Sequence, residues 1–312
     1  MKISVAMTTY NGEKFVLKQL NSLREQTQKI DEVLIFDDGS TDKTINIIND
    51  YINSFMLCNW KLYEKCNDGW IINFYKCIKE TTGDIVFFCD QDDIWEKTKI
   101  EEMSKILLQN NDIKVLACRL SLIDSDDKPI NDNHEKFPFD SKETSNLYLN
   151  KFDKRFTYTI SPGCTLAVKK EYIDKYNEYI LVKNIPHDAL YWKIGTLNNE
   201  AYILDKSLLK YRIHLNNTSK PTLDSNYQIK KETIRIDENI KSKLDIIKIK
   251  DIYKNSNDYS IEVLENLDSI INFHNNRDLF LKHKKSSLLF IIKFISYYRN
   301  YKMLIGDILS RF

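Results

Sequence analysis

The sequence predicts an α/β fold: a mostly parallel sheet covered by helices on both faces, followed by a helical C-terminal segment. Three observations lead there. Strand and helix signals alternate with little slack over the first part of the chain, the pattern of a parallel sheet built from crossover connections. Three polar loops, residues 8–12, 37–42 and 90–93, each follow a predicted strand, and such sheets bind ligands beyond the carboxyl ends of their strands. After residue 220 the chain becomes charged, Lys- and Ile-rich helical sequence with no glycine until Gly306. At 312 residues and 42% apolar content the chain can bury one large core or two modest ones. A boundary near Pro221 divides it into an expected domain 1–220 and a helical region 221–312.

Residues 3–8 are an apolar run suited to a buried strand, and residues 13–26 put Val16, Leu20 and Leu23 on one helical face. Residues 33–36 make a second strand that ends in Asp37-Asp38-Gly39-Ser40-Thr41-Asp42. Ser40 or Thr41 is expected to cap the next helix, with Asp42 in its first turn and Ile45, Ile48 and Ile52 at helical spacing. A strand at 60–63, a helix at 70–79, a strand at 85–89 and a helix carrying Ile100, Met103 and Leu107 complete this series. Residues 124–146 are polar and read as a loop facing the site. Residues 161–168 read as a turn and strand, and a helix opens at Pro186 or His187 with Asp188 in its first turn. Residues 202–204 and 208–213 read as two short strands, closed by His214-Leu215-Asn216-Asn217-Thr218.

The run Ile85-Val86-Phe87-Phe88-Cys89 delivers Asp90, Asp92 and Asp93 within four residues. Carboxylates that close repel, and a hard divalent cation with oxygen ligands, Mn²⁺ or Mg²⁺, would neutralise them. A solvated acidic turn before a helix is the plainer alternative. The convergence of the three polar loops favours function, because a rigid sheet carrying its working groups on loops is the common arrangement. The seven glycines form neither G-x-G-x-x-G nor G-x-x-x-x-G-K, which excludes a dinucleotide fingerprint and a P-loop. A nucleotide bound here needs a metal in place of a glycine cradle.

Lys plus Arg (46) nearly cancel Asp plus Glu (45), so no general electrostatic case for nucleic acid exists. The balance is uneven, however. Residues 281–312 hold Lys282, Lys284, Lys285, Lys293, Arg299, Lys302 and Arg311 against Asp307 alone. Within this basic tail, residues 287–299 are apolar and aromatic with interspersed cations. That pattern suits a helix lying in the interface of an anionic leaflet, or one packed on a neighbouring helix or a homodimer mate with its Lys heads snorkelling. Six cysteines without a C-x-x-C pair point to a reduced, cytoplasmic protein. The N-terminus lacks signal-peptide features, and no run reaches the ~18 apolar residues of a spanning helix. Peripheral attachment to the inner face of the plasma membrane through the tail remains compatible with this.

The order Val5-Ala6-Met7-Thr8-Thr9-Tyr10-Asn11-Gly12, Phe36-Asp37-Asp38-Gly39-Ser40-Thr41-Asp42 and Asp90-Gln91-Asp92-Asp93 resembles glycosyltransferase family 2, inverting nucleotide-sugar enzymes with the Rossmann-like GT-A fold. The resemblance covers residues 1–218. The Asp90-Gln91-Asp92-Asp93-Ile94-Trp95 form, His187-Asp188 followed by aromatics, and Tyr211-Arg212-Ile213-His214 look most like the bacterial rhamnosyltransferase-type branch that builds O-antigen and capsule.

This resemblance implies a UDP- or dTDP-sugar donor contacted by Thr8, Tyr10, Asn11, Asp37, Asp38, Asp90 and Gln91. Tyr10 would lie against the pyrimidine, Asp38 would hydrogen-bond the base with Asp37 adjacent, and Asp90 would sit nearer the ribose. Asp92 is the implied direct metal ligand, joined by Asp90, while His214 belongs to a loop returning over the diphosphate or metal. Asp93 is expected to cap the helix that follows. Asp188 matches the catalytic base, although the family's acid-plus-Trp pattern becomes Asp188-Ala189 here, with Trp192 further on. On the residues alone, Asp188 also suits a helix N-terminus and His214 a surface position; Trp95 and Trp192 read as packing residues.

The expected activity is inverting transfer to a hydroxyl of a glycan acceptor in surface polysaccharide, lipopolysaccharide or glycoprotein synthesis. A divalent ion would stabilise the leaving diphosphate and one carboxylate would take the hydroxyl proton. A nucleotidyltransferase would carry a Gly- and Arg/Lys-rich first loop, whereas residues 8–12 are neutral. A non-catalytic glycan-assembly scaffold is the reading from another class.

Overall fold

The computed structural model describes residues 1–64, 67–130, 146–158, 161–215, 217, 232–256, 259–282 and 289–310. Most of the expected loop at 124–146, and the stretch around Pro221, lie outside these residues. The chain divides into two compact units: Met1–Asn150 with Ile160–Thr222, and Lys151–Thr159 with Leu223–Phe312.

The first unit runs β1 (Ile3–Thr9), α1 (Val16–Arg24), β2 (Glu32–Asp37), α2 (Thr44–Ser54), β3 (Trp60–Glu64), α3 (Trp70–Glu80), β4 (Ile85–Cys89), β5 (Ile94–Trp95), α4 (Lys99–Gln109), β6 (Val115–Ile123) and β7 (Leu147–Leu149). It continues through β8 (Leu166–Lys169), α5 (Lys170–Tyr176), α6 (Tyr179–Lys183), α7 (His187–Leu197) and β9 (Ala201–Arg212). The strands form one sheet in the order β3-β2-β1-β4-β8-β6-β9-β5, with β7 also on β9. β3, β2, β1 and β4 are parallel, as the alternation predicts. β8 then enters antiparallel between β4 and β6, so the complete sheet is mixed.

Strand alternation sorts the two faces. Ile3, Val5, Met7, Val33, Ile35, Phe87 and Cys89 pack with Val16, Leu20, Leu23, Ile48, Ile100, Met103 and Leu107 in one core. On the other face Phe88 meets Tyr191 of α7 at 5.6 Å between ring centroids, and Asn73 of α3 donates to the Phe36 carbonyl.

Two local expectations are corrected. Neither Ser40 nor Thr41 caps α2: the Ser40 hydroxyl donates to Asp37, while Asp42 accepts the Thr44 amide at 2.9 Å and thereby delays the helix start to Thr44. The two short strands expected over 202–213 are one continuous strand, β9, whose pairing with β6 shifts register around Arg119.

The second unit contains α8 (Glu232–Lys254), α9 (Ile261–Lys282), α10 (Leu289–Phe294) and α11 (Tyr301–Leu309). α8 and α9 pack as an antiparallel pair around Ile246, Ile249, Leu267, Ile270 and Phe273. Asp307 of α11 is fully buried and accepts from Arg235 of α8 at 2.9 Å and from Arg277 of α9 at 2.6 and 2.9 Å. A buried carboxylate needs such partners. Gly306 makes room for them, because a Cβ there would fall 1.8 Å from Arg235 Nη2. Among the described residues, no helix is long and apolar enough to cross a membrane.

Candidate active site

β1, β2 and β4 end side by side, and their register decides which polar groups meet. Thr9 pairs with Asp37, and Met7 with Cys89, so the half-buried Thr8 lies beside Asp90 at the end of the ladder. Asp37 is fully buried and accepts from the Thr9 hydroxyl (2.7 Å), the amides of Gly39 (3.1 Å) and Ser40 (2.7 Å), and the Ser40 hydroxyl (2.6 Å). It is the knot that shapes its loop. Asn11, with φ 48°, receives the Thr41 amide on its side chain and donates its own amide to Ser40. Gln91 grips the first loop at two points, accepting the Tyr10 amide at 2.8 Å and donating to the Tyr10 carbonyl at 2.9 Å. Gly12 permits that grip, since a Cβ there would sit 2.2 Å from Gln91 Oε1.

Asp38 is 5% exposed and accepts the amides of Asp68 and Gly69 at 2.9 and 3.0 Å, which fixes the entry to α3. Burial raises its pKa, partly offset by those two bonds. Tyr10 and Trp70, at 46% and 41% exposure, present aromatic rings to solvent at this end of the sheet.

The acidic turn is braced from two sides. Ile94 pairs with Lys210 and Trp95 with Leu209, a register that brings Arg212 opposite Asp92. Arg212 is completely buried. Its amide donates to Asp93 Oδ1 (3.0 Å), its Nε to the Asp92 carbonyl (2.7 Å) and its Nη1 to the Asp124 carbonyl (2.9 Å), and its guanidinium lies 4.7 Å from the Phe15 ring centre. Asp93 is therefore not the cap of α4 that the sequence suggests; that helix begins after Thr98. From below, the buried Lys99 ammonium donates to the Cys164 carbonyl and stands 3.7 Å over the Trp95 ring.

His214, two residues beyond Arg212, reaches Asp92 with Nε2 2.7 Å from Oδ2, its ring 4.8 Å from Phe15. Ligand atoms of Asp90, Asp93 and Cys164 lie within 4.8 Å of one another. Burial raises the Asp90 carboxyl to about 7, helped by the charges of Asp92 and Asp188. Burial also pushes Asp93 well above the carboxylate range. Buried and crowded together, these carboxyls become fully anionic only with a further positive charge beside them. Oxygen donors in that state, with an imidazole on Asp92, suit a hard divalent cation.

Asp188 stands in the first turn of α7, half-buried, with the Ala189 amide donating to Oδ1 at 2.7 Å. Burial lifts its pKa to about 6, and its charge is felt by Asp90. His187 supports it from behind. That ring is 3% exposed, stacked on Phe74 at 4.0 Å and edge-on to Phe88 at 5.0 Å, and burial lowers its pKa to about 3. A neutral imidazole packed as an aromatic holds the helix start without placing a cation beside Asp188.

All of the predicted site residues therefore gather at one end of the sheet. Sequence reasoning quoted Arg212 without assigning it a role, and it missed Lys99 and Cys164. Their burial depends on the β5–β9 and β4–β8 pairings, which no local pattern reveals.

The dTDP-rhamnosyl transferase RfbG of Shigella flexneri is 32% identical over 222 residues, 68% of this chain and 72% of that protein. The poly(ribitol-phosphate) beta-N-acetylglucosaminyltransferase TarS of Staphylococcus aureus is 29% identical over 164 residues, 52% of this chain and 27% of its own length. The crystal structure of TarS residues 1–349 in complex with UDP superposes with a TM-score of 0.59 at 20% identity, covering 98% of this chain and 81% of that one; this similarity shows the GT-A fold. The profile of glycosyl transferase family 2 matches residues 4–176, and the chain thus belongs to glycosyltransferase family 2, where it resembles the rhamnosyltransferase-like bacterial members.

Proposed function

We propose that this glycosyltransferase moves a sugar from a UDP- or dTDP-sugar to a hydroxyl of a bacterial surface glycan with inversion at the anomeric carbon, Asp188 acting as general base. The observation that carries the reading is the meeting of Asp188, held near pKa 6, with the Asp90–Asp92 cluster at the strand ends. In a single displacement the acceptor oxygen attacks the anomeric carbon while its proton passes to an Asp188 carboxylate oxygen. The bond from that carbon to the diphosphate oxygen breaks, and the nucleoside diphosphate departs with the electron pair. No enzyme nucleophile is needed. A carboxylate of raised pKa is the better proton acceptor near neutral pH.

Asp92 and Asp90, with His214 on Asp92, would hold Mn²⁺ or Mg²⁺, which when bound stabilises the charge that develops on the leaving diphosphate. Tyr10 offers its exposed ring to the pyrimidine. Asp37, Asn11 and Gln91 position the backbone of the two donor loops, and Asp38 retains lone pairs for the base while holding the Asp68 and Gly69 amides. Thr8 flanks Asp90 on the ribose side.

Incubation with a panel of UDP-, dTDP- and GDP-sugars plus Mn²⁺, with and without a lipid-linked glycan acceptor, tests this. Release of UDP or dTDP is expected, and Asp92→Asn should abolish its Mn²⁺ dependence together with donor binding. An unchanged Mn²⁺ response in that variant would refute the metal role, and no turnover of any donor would refute the donor assignment.

A further inference from the structure

We propose that the outward surface formed by α10, α11 and the segment between them docks on an anionic lipid bilayer. α10 is apolar but for Lys293. Phe290 and Phe294 turn inward, 5.1 Å from Phe280 and 5.8 Å from Phe273 between ring centroids. Leu289, Ile292 and Ile295 turn outward at 70%, 72% and 57% exposure, spaced three apart on one face. Tyr301, Ile305 and Leu309 of α11 extend the exposed apolar set. Ile295 and Tyr301 line one cleft, which links the two sets, and exposed apolar side chains gathered in this number mark an interaction site more often than free solvent contact.

The charge around it decides the partner. Lys293 is exposed within the apolar face, and Arg299 and Lys302 are half-buried along it. Next to it lies a cleft of about 750 Å³ whose lining includes Lys154, Arg155, Arg299, Tyr298 and Tyr301, with Asp153 as the only acid. Between Leu289 and Ser310 the one carboxylate is Asp307, which is buried and neutralised by Arg235 and Arg277. A second copy would bring the same cations face to face, because a two-fold interface pairs a patch with itself. An anionic leaflet complements both halves of the surface: apolar side chains enter the acyl boundary, and cations meet phosphate headgroups. The open, tyrosine-lined cleft with its cations is shaped to receive such a headgroup. This surface belongs to the second unit and stands independently of the donor chemistry.

Flotation of the full chain with vesicles of phosphatidylcholine alone, and of phosphatidylcholine with about one-third phosphatidylglycerol, reads it out. The protein should float with the anionic vesicles only, and less at high salt. Ile292→Glu should weaken that binding at least about tenfold, and Lys293→Glu should weaken it by a smaller factor, both with an unchanged melting temperature because both side chains face solvent. The proposal is overturned if the protein ignores anionic vesicles, or binds neutral ones equally well. It is also overturned if Ile292→Glu leaves flotation intact, or if sedimentation shows a dimer that this substitution dissolves, which would make the face a contact between copies.

Discussion

Asp188 has the environment a general base needs. Burial disfavours its charged form and sets its pKa near 6, while the Ala189 amide keeps one oxygen oriented. The sign of the pH effect follows directly. Below about pH 6 the carboxyl is protonated and cannot accept the hydroxyl proton; above it the carboxylate dominates. The acid limb of kcat/KM for transfer should therefore bend near pH 6. A limb at the ordinary carboxylate value near 4 would mean that burial does not govern this group or that another residue is the base. His187 belongs to the same design: a protonated ring there would draw the Asp188 pKa back down, and burial among Phe74, Phe88 and Trp70 keeps it neutral.

At the scale of elements, the second unit is knotted by one carboxylate. Asp307 joins α8, α9 and α11 through Arg235 and Arg277, and removing it leaves two buried cations without their counter-charge. Asp307→Ala should cost about 3–5 kcal/mol, seen as accelerated amide hydrogen exchange in those three helices; exchange unchanged from the wild type would show that the triad contributes nothing. What the sequence could disclose followed the same division between local and distant causes. Residues 85–89 were legible to the residue, because an apolar run bounded by Gly83-Asp84 and Asp90 admits one strand. β9 was not, because Asp205 and Lys206 interrupt the pattern and read as a break. In the fold those charges are answered by long-range partners, Asp205 by Arg119 of β6 and Lys206 by Glu102 of α4 at 2.8 Å. The cap of α2 is hidden from a local reading because Asp37 and Asp42 take the local donors that Ser40 or Thr41 would otherwise bind.

Across the whole molecule, the sheet order explains why the site's carboxylates were legible while their supports were not. Asp37, Asp38, Asp90 and Asp92 follow parallel strands, whose carboxyl ends must coincide. Arg212 closes β9 and His214 follows two residues later, and β9 comes alongside β5 only because β8 enters antiparallel and turns the second half of the sheet. The proposed transfer depends on Asp188 being the group that takes the acceptor proton. It is tested most directly by measuring donor binding and sugar transfer side by side in Asp188→Asn, which preserves size and hydrogen bonding but cannot accept the proton. Donor affinity should match the wild type while transfer falls by ~10² or more; full transfer in this variant would contradict the assignment.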